Sequence, residues 1–179
     1  MKVLAVNGSA RNNGNTHMAL EFVAEELRQE GIEVEIVDLV DVNLHPFSFG
    51  GTPEDDVPML REKLKAADGL IIGSPTYYSN VTSRTQMFIE RMGGSVDLKG
   101  KIGAAVAVAR RGGANFVYAA INYFFGIHEM PIATSTYWNI VIARKPGEIK
   151  KDEEGLKTLK NLGKNMAKLL KATKTYSSS

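Results

Sequence analysis

Apolar residues along this chain follow two alternating patterns. Nearly continuous apolar runs predict buried strands at 3–6, 69–73 and 102–109, and a run that alternates with Glu33 and Glu35 predicts an edge strand at 32–39. A fifth strand is predicted within 132–141. Elsewhere apolar residues recur every three or four positions, which predicts helices at 16–30, 57–67, 83–92, 115–125 and 152–170.

Strands that alternate with helices predict an α/β fold in which each helix crosses over between parallel strands. With the second strand at an edge, we expect a doubly wound five-stranded parallel sheet of order 2-1-3-4-5 with helices on both faces. No repeat or linker interrupts the pattern, so we expect a single domain over residues 1–179. Ligands of such sheets bind beyond the carboxyl ends of the strands, here at the loops after strands one, three and four.

Composition excludes several classes of chemistry. The chain has no cysteine, which excludes disulfides, thiolate metal ligands and thiol catalysis. Ten of its 22 Lys and Arg residues lie in 144–179, mostly on the last helix, and a solvated lysine face is a simpler interpretation than a nucleic-acid patch. No apolar run approaches the length of a membrane span, and the chain starts directly into a strand. We therefore expect a cytoplasmic protein that binds neither nucleic acid nor membrane.

The loop after the first strand is the strongest candidate for chemistry. Its sequence, Gly-Ser-Ala-Arg-Asn-Asn-Gly at 8–14, opens into a helix, so backbone N–H groups and a helix N-terminus can face an anion. Ser9, Asn15 and Thr16 add polar donors, and Arg11 adds a positive charge. The spacing fits neither a Walker A loop nor G-x-G-x-x-G, which favours a single terminal phosphate as the ligand. The alternative is that Asn15 or Thr16 merely caps the helix, which leaves Arg11 unexplained.

Three motifs then occur in order: Gly8-Ser9-x-Arg11-x-x-Gly14-Asn15-Thr16, Gly73-Ser74-Pro75-x-Tyr77 and Phe88-x-Glu90-Arg91. Together they resemble the NADPH-dependent FMN reductase family of flavodoxin-like proteins. The likeness spans nearly the whole chain, because the segment at 110–113 and the helix after it look like the iron-sulfur flavoproteins of the same superfamily. Those proteins carry a cysteine cluster after strand two, where this chain has His-Pro-Phe-Ser-Phe-Gly-Gly at 45–51. The resemblance therefore implies a relative that uses flavin without an iron–sulfur cluster.

The resemblance implies FMN as the cofactor, NADPH or NADH as the electron donor, and cofactor-binding residues in all three loops. The FMN phosphate would be held by Ser9, Arg11, Asn15 and Thr16, with Asn13 in the same loop. The isoalloxazine ring would be lined by Pro75, Thr76, Tyr77, Tyr78 and Asn80, with Ser74 beside them. Tyr78 has a second interpretation as a core or subunit contact. Pro75 fixes the backbone so that neighbouring N–H groups can face the ring.

Arg110 and Arg111 end a buried strand, where two guanidinium groups are costly unless an anion is present. Gly112 and Gly113 would lie near the pyrimidine edge of the flavin. One arginine would then lie near N1 and O2 of the ring or reach the 2′-phosphate of NADPH; the alternative is a solvated turn.

Other polar and aromatic candidates have simpler interpretations. Asp38 stands where NAD-binding folds place a ribose-binding carboxylate, but the glycine fingerprint is missing. His17, His45 and His128 lack metal-ligand spacing, and we interpret them as structural. The aromatic pairs at 124–125 and 137–138 are interpreted as core or subunit contacts.

We predict an FMN-dependent oxidoreductase that passes hydride from a nicotinamide to flavin and on to a small acceptor, with no catalytic side chain beyond positioning. The first alternative is an FMN electron carrier that works with a protein partner, and the second is a phosphate-binding regulator without flavin. Exposed aromatic residues and the helix at 83–92 would cover the open face of the flavin in a homodimer or homotetramer.

Overall fold

The structure is a computed structural model that describes residues 1–51 and 53–177, with side chains to residue 174. Its strands are β1 (Lys2–Asn7), β2 (Glu33–Asp38), β3 (Gly69–Pro75), β4 (Ile102–Ala109) and β5 (Ile140–Ile142). Its α-helices are α1 (Asn15–Gln29), α2 (Val57–Ala66), α3 (Ser83–Met92), α4 (Ala114–Ile127) and α5 (Glu153–Ser177). Two short 3-10 helices cover Leu39–Asp41 and Glu148–Lys151.

All five strands form one parallel sheet in the order β2-β1-β3-β4-β5, which confirms the predicted order. β1 and β3 are the central neighbours at which the strand order reverses. Their last paired residues, Asn7 and Gly73, are opposite each other. The loops that follow β1 and β3 therefore start side by side at the carboxyl edge.

Two buried clusters cover the two faces of the sheet. On one face Leu4, Leu70 and Ala105 pack against helices α2, α3 and α4. On the other face Val3, Ile71, Ala104 and Val106 pack against α1 and α5. Both faces are covered, so the strands are apolar on both sides, as the continuous runs predicted.

The fifth strand is shorter than the pattern suggested. Ile132 makes one isolated bridge to Gly103, and regular pairing resumes only at Ile140. Between them the chain bulges outward. The buried Asn139 closes the gap, since its Nδ2 donates to the Ala105 carbonyl at 3.0 Å and its own carbonyl accepts from the Ala107 N–H at 2.9 Å. The bulge leaves Tyr137 and Trp138 on the surface rather than in the core, whereas Phe124 and Phe125 are buried.

Helix boundaries follow the predicted ones, with two extensions. α4 continues to Ile127 and α5 to Ser177, both beyond the predicted ends. α1 ends where Gly31 indicated: Gly31 has φ 76°, and the N–H groups of Gly31 and Ile32 donate to the carbonyls of Arg28 and Leu27, each at 3.0 Å. No helix in the described ranges is long and apolar enough to cross a membrane.

Candidate flavin site

The loop after β1, residues 8–14, leads into a helix whose first N–H groups have no side-chain cap. Gly14 occupies the N-cap position, where it offers no side-chain acceptor, and the first turn of α1 contains no acidic residue. Four N–H groups at a helix start need acceptors, and together with the helix dipole they favour an anion. The N-terminus of α1 is therefore open to a ligand.

Two side chains at this helix start are also available. Thr16 is 2% exposed, and within the described residues its hydroxyl has no hydrogen-bond partner. The exposed Arg11 guanidinium likewise has neither a hydrogen bond nor an ion pair in that part of the chain. Asn13 is exposed in the same loop. An unpaired hydroxyl and an unpaired guanidinium beside free N–H groups form a donor set suited to a phosphate.

The loop is held in shape by Asn7, which sequence analysis missed. Asn7 Oδ1 accepts from the Ser9 N–H at 3.0 Å, and Ser9 Oγ accepts from the Arg11 N–H at 3.2 Å. Asn7 Nδ2 donates to Asp38 Oδ1 at 2.6 Å. An Asn at the end of a buried strand, followed by Gly-Ser, was the available signal. Asn7 is fully buried, so it fixes the loop from below without facing a ligand.

A second support comes from the start of α3. Thr82 Oγ1 donates to the Gly8 carbonyl at 2.7 Å and lies 2.9 Å from Thr85 Oγ1. It also accepts from the Thr85 N–H at 3.2 Å, which makes Thr82 the N-cap of α3. Thr82 directly precedes the helix predicted at 83–92, and together with a second Thr three positions later it was the signal for this cap.

The prediction for Asn15 needs correction at the level of its side chain. Asn15 Nδ2 donates to the Lys145 carbonyl at 2.8 Å, and its Oδ1 accepts from the Gly147 N–H at 2.9 Å. The side-chain amide thus ties α1 to the segment after β5. What Asn15 can offer to an anion is its backbone N–H at the helix start.

The loop after β3 forms a tight two-residue turn with unusual backbone geometry. Tyr77 and Asn80 exchange both backbone hydrogen bonds, at 3.0 and 2.9 Å. Between them Tyr78 and Ser79 have φ values of 51° and 61°. Two consecutive left-handed residues define a type I′ turn, which Gly or Asn normally occupies. Side chains at such positions cost of order 1–3 kcal/mol each, and strain of this kind clusters at ligand sites.

One buried polar atom beside this turn has no partner within the described residues. Thr76 Oγ1 is buried without a hydrogen-bond partner. Tyr77 is about half exposed, and the Tyr78 side chain is fully exposed. Ser74, by contrast, is fully buried: its hydroxyl donates to the Pro75 carbonyl at 2.9 Å and accepts from the Thr82 N–H at 3.2 Å. The prediction that Ser74 binds the cofactor therefore needs correction, because its hydroxyl braces the turn.

The loop after β4 approaches this turn closely. Gly113 has φ 86°, and a Cβ built on it would lie 2.5 Å from Ser79 Oγ. A glycine is required here for both its conformation and its contact. Arg110 and Arg111 are exposed and, across the described ranges, form no hydrogen bond or ion pair. The loops after β1, β3 and β4 therefore meet at one edge of the sheet, as predicted.

The segment between β2 and α2, where the sequence lacks the cysteine cluster of the iron-sulfur flavoproteins, is fixed by a buried ion pair. Arg91 Nη1 lies 2.6 Å from Asp55 Oδ2 and donates to the His45 carbonyl at 2.8 Å. Burial acts to raise the pKa of Asp55, but hydrogen bonds from the Val57 N–H and from Arg91 outweigh it and hold this pKa below its usual range. Within the described residues no group of three metal-ligating side chains occurs.

Asp38 and two histidines are engaged in internal contacts. Asp38 Oδ1 lies 2.9 Å from His17 Nδ1 and also accepts from Asn7. His128 Nδ1 lies 2.7 Å from the Phe124 carbonyl. The Asp38 carboxylate thus supports the first loop through Asn7, in agreement with its interpretation as something other than a ribose ligand.

The donor set at the sheet edge fits FMN. An anion site at the start of α1 suits its single phosphate, whereas the strained turn with an unpaired buried hydroxyl and exposed tyrosines provides polar and apolar surface for its ring.

Comparison with known proteins leads to the same cofactor. A model of the NADPH-dependent FMN reductases matches residues 1–145. An iron-sulfur flavoprotein of Methanocaldococcus jannaschii is 35% identical over 97% of this chain and 100% of its own length. An FMN-dependent NADPH-azoreductase of Staphylococcus aureus is 35% identical over 45% of this chain and 46% of its own.

The fold also has counterparts among solved structures. An archaeal flavodoxin superimposes with a TM-score of 0.70 at 21% identity, covering 96% of this chain and 99% of its own. The chain therefore belongs to the NADPH-dependent FMN reductase family, as an FMN-dependent oxidoreductase with a flavodoxin-like fold.

Proposed function

We propose that this protein passes hydride from NADPH or NADH to FMN and from there to a small acceptor such as a flavin, a quinone, ferric iron or a nitro or azo compound. When bound, FMN accepts a hydride and returns two electrons to an acceptor. Donor and acceptor would use the same space in turn, so the protein's task is to hold the ring and position its partners. A nicotinamide cosubstrate is also what the family implies.

The observation that carries this proposal is the open helix start at the first loop. Backbone N–H groups of α1, the Thr16 hydroxyl and the Arg11 guanidinium would hold the FMN phosphate. Ser9 Oγ already accepts from the Arg11 N–H, and its own O–H remains able to donate. Asn13 contributes from the exposed side of the loop.

The ring would lie against the turn after β3. Thr76 Oγ1 lacks a partner within the part of the chain that the structure describes, and a carbonyl or ring nitrogen of the flavin would supply one. Pro75, Tyr77, Tyr78 and Asn80 would form the surrounding wall, and the contact of Gly113 with Ser79 would bring the loop at 110–113 to the same ring.

Two measurements test the proposal. The purified protein should show the visible absorbance of a flavin, and it should bind FMN at least tenfold more tightly than riboflavin, since riboflavin lacks the phosphate. The holoprotein should then oxidise NADPH with a small acceptor and no protein partner. A colourless protein that binds phosphate but not FMN would instead support a regulator.

An electron carrier is the second candidate, and one feature favours it. Lys157, Lys160, Lys164 and Lys168 are exposed at helical spacing along α5, a basic face that could dock an acidic partner. A carrier would retain FMN yet oxidise NADPH only when a reductase partner is added. Steady-state oxidation without a partner would therefore decide for the enzyme.

We further propose that two copies associate through α4. Phe116, Tyr123 and Ile127 are exposed at spacings of seven and four residues, which forms an apolar stripe on one helix face. A stripe with this spacing can pack against itself across a two-fold axis. The sequence had pointed to α3, but the exposed residues Ser83, Gln86 and Glu90 of that helix are polar. Light scattering near the chain mass of 19.6 kDa would contradict association.

We also propose that residues 1–179 form one FMN-binding domain that binds neither nucleic acid nor membrane. The cytoplasmic location stays a prediction.

A further inference from the structure

A tight turn follows β5 and has Lys145 at its first position. The Glu148 N–H donates to the Lys145 carbonyl at 3.0 Å, Pro146 occupies the second position, and Gly147 has φ 82° and ψ −10°. These features define a type II β-turn, in which proline fixes one residue and glycine supplies the positive φ of the next. The backbone of residues 145–148, the β5 turn, is therefore determined by its own sequence.

The β5 turn is attached to the first residue of α1. Asn15 Nδ2 donates to the Lys145 carbonyl at 2.8 Å, and Asn15 Oδ1 accepts from the Gly147 N–H at 2.9 Å. Both polar atoms of one side-chain amide thus bind the same turn. Asn15 opens the helix whose free N–H groups form the candidate phosphate site, so the β5 turn lies beside that site.

Lys145 brings a positive charge to this place. Its side chain is exposed, and within the described residues its ammonium group forms no hydrogen bond or ion pair. Its backbone is fixed on both sides, since the N–H donates to Glu148 Oε2 at 2.8 Å and the carbonyl accepts from Asn15. Arg144 lines a cavity beside the loop after β4, whereas Lys145 does not line it. A lysine with a fixed backbone and a free ammonium group is therefore held next to the start of α1.

The carboxylate of Glu148 is already bound by backbone donors. Glu148 Oε2 accepts from the N–H groups of Lys145 and Arg144, at 2.8 and 3.1 Å. The hydrogen bond from the Lys145 N–H is the main cause of the lowered pKa of Glu148, and the charges of Lys151 and Lys145 contribute less. The first turn of α1 contains no acidic residue. Glu148 thus shapes the β5 turn without pairing with the Lys145 ammonium group, which stays available to a ligand.

We infer that Lys145 binds the FMN phosphate from the side of β5, and that Asn15 is the positioning residue that holds Lys145 there. The inference rests on the proposed function, because it adds a cation to the cofactor site of that function. A phosphate monoester carries about two negative charges at neutral pH, and Arg11 and Lys145 would meet it from two different elements. Asn15 thereby gains a role that does not require its side-chain amide to touch the phosphate.

The first test compares FMN with riboflavin, which lacks the phosphate, in titrations of the flavin-free full chain at low ionic strength. Lys145→Ala should weaken FMN binding about fivefold, as expected for a charge pair at an exposed site, and should leave riboflavin binding unchanged. Salt at about 0.5 M should remove most of this difference, since exposed charges are screened. Lys145→Arg keeps the charge and should bind FMN as the wild type does.

Lys150→Ala is the matched control for Lys145→Ala. It removes one exposed lysine from the 3-10 helix that follows the β5 turn, and it changes the net charge by the same amount. Its FMN affinity should equal that of the wild type. Equal losses of FMN and riboflavin binding in Lys145→Ala would overturn the inference, and so would an equal loss of FMN binding in Lys150→Ala.

The second test concerns Asn15. Asn15→Ala keeps the backbone N–H at the helix start but releases the β5 turn, so it should weaken FMN binding. In that background Lys145→Ala should have little further effect, because the ammonium group has already lost its fixed place. A loss in the double variant equal to the product of the two single losses would overturn the positioning role of Asn15. If Asn15→Ala does not fold, the exposed Lys145 still allows the first test.

Failure of this inference and failure of the proposed function give different results. If the protein binds FMN and oxidises NADPH, but Lys145→Ala has wild-type affinity for FMN, the inference fails and the proposed function stands. If the protein binds no FMN, the proposed function fails, and inorganic phosphate becomes the probe. Phosphate binding that is weaker in Lys145→Ala than in the wild type would still support a lysine at this anion site, whereas equal phosphate binding would overturn it.

Discussion

The two loops that start side by side at the switch point of the sheet are built in opposite ways. The loop after β1 is held from below by the buried Asn7 and Thr82, and it leaves donors without partners on its outer side. The turn after β3 has closed backbone hydrogen bonds, strained residues at 78–79 and exposed aromatic side chains. The first loop is thus preorganised for a charge, whereas the second stores strain next to a surface for a ring.

This difference between the two loops follows from the different interactions that stabilise a bound phosphate and a bound flavin ring. A phosphate gains from several fixed donors, and moving any of them costs affinity, so a rigid support is favourable. A flavin ring gains from shape and from a few hydrogen bonds, and a turn that presents N–H groups and tyrosine rings at an exposed edge is enough. The predictions below test each half of the comparison.

The largest effect is expected from filling the space under the first loop. A Cβ on Gly8 would overlap the Thr85 hydroxyl and approach the Gly73 carbonyl at 3.2 Å. Gly8→Ala should therefore lower the free energy of unfolding by about 3 kcal/mol and impair FMN binding, since the Thr82 support is displaced. Chemical denaturation and FMN titration measure both effects.

A matched glycine provides the control for Gly8→Ala. Gly126 lies within α4, and a Cβ added there would meet no described atom within 4 Å beyond its chain neighbours and the adjacent backbone of its own helix, so Gly126→Ala should be neutral or stabilising. The double variant Gly8→Ala/Thr85→Ala should regain part of the lost stability, because it removes the overlapping hydroxyl. Equal stability of Gly8→Ala and the wild type would show that Thr82 and Thr85 can move to accommodate the added Cβ, so that the support of the loop after β1 is not rigid.

The second prediction removes one unpaired donor from the first loop. Thr16→Val keeps the buried shape and deletes the hydroxyl, so it should weaken FMN binding by about 1–3 kcal/mol. Riboflavin binding should be unchanged, because riboflavin has no phosphate. Thr16→Ser, which retains the hydroxyl, is the control. An equal loss for FMN and riboflavin would place Thr16 away from the phosphate.

The overall fold and the position of the site could be predicted from sequence because both depend on local patterns. Apolar runs and helical spacing predicted the strand order. Glycine-rich loops after buried strands predicted the edge of the sheet at which the site lies. The side-chain partners could not be predicted in this way. The bond of Asn15 to the Lys145 carbonyl joins residues 130 positions apart, and the Asp55–Arg91 pair joins the segment before α2 to helix α3. Such contacts depend on packing that one sequence window does not contain.

The bulge before β5 illustrates the same limit. Residues 132–141 have the apolar and β-branched composition of a strand, but the buried Asn139 replaces part of the pairing with one side-chain hydrogen bond, from its Nδ2 to the Ala105 carbonyl. Periodicity cannot distinguish a continuous strand from one that is interrupted and resumed, because both keep the same buried positions.

The third prediction concerns Arg110 and Arg111 after β4, which belong neither to the loop after β1 nor to the turn after β3. Both side chains line the spaces toward β5, so Arg110→Ala/Arg111→Ala should retain FMN. Reduction by NADPH should slow about tenfold, equivalent to about 1.4 kcal/mol, while reduction by NADH and the flavin potential change little. Stopped-flow reduction with both nucleotides and a redox titration measure this.

Other results would change the interpretation of these arginines. Slower reduction by both nucleotides with a lower potential would place an arginine beside the flavin ring instead. Unchanged rates of reduction and an unchanged flavin potential would show that Arg110 and Arg111 only face solvent at a turn.

The smallest effect is expected at Tyr78, and it should have opposite signs for stability and binding. A non-glycine residue in the left-handed conformation destabilises the folded state by about 1–2 kcal/mol. Glycine removes this strain, but it loses more backbone entropy on folding, which offsets about 0.5–1 kcal/mol of the gain. Tyr78→Gly should therefore stabilise the flavin-free protein by up to about 1 kcal/mol, since the side chain is fully exposed and makes no packing contribution. Thermal unfolding of the flavin-free protein measures this gain.

If the exposed ring of Tyr78 contacts the flavin, the same variant should bind FMN and riboflavin more weakly by the same factor, in contrast to Thr16→Val, which affects FMN alone. Tyr78→Phe is the control, because it keeps both the strained backbone and the aromatic ring, and it should resemble the wild type in stability and in flavin binding. A stabilised Tyr78→Gly with unchanged flavin affinity would confirm the backbone strain at Tyr78 but contradict a contact between its ring and the flavin, which would leave Tyr77 as the tyrosine of this turn in the wall of the flavin site.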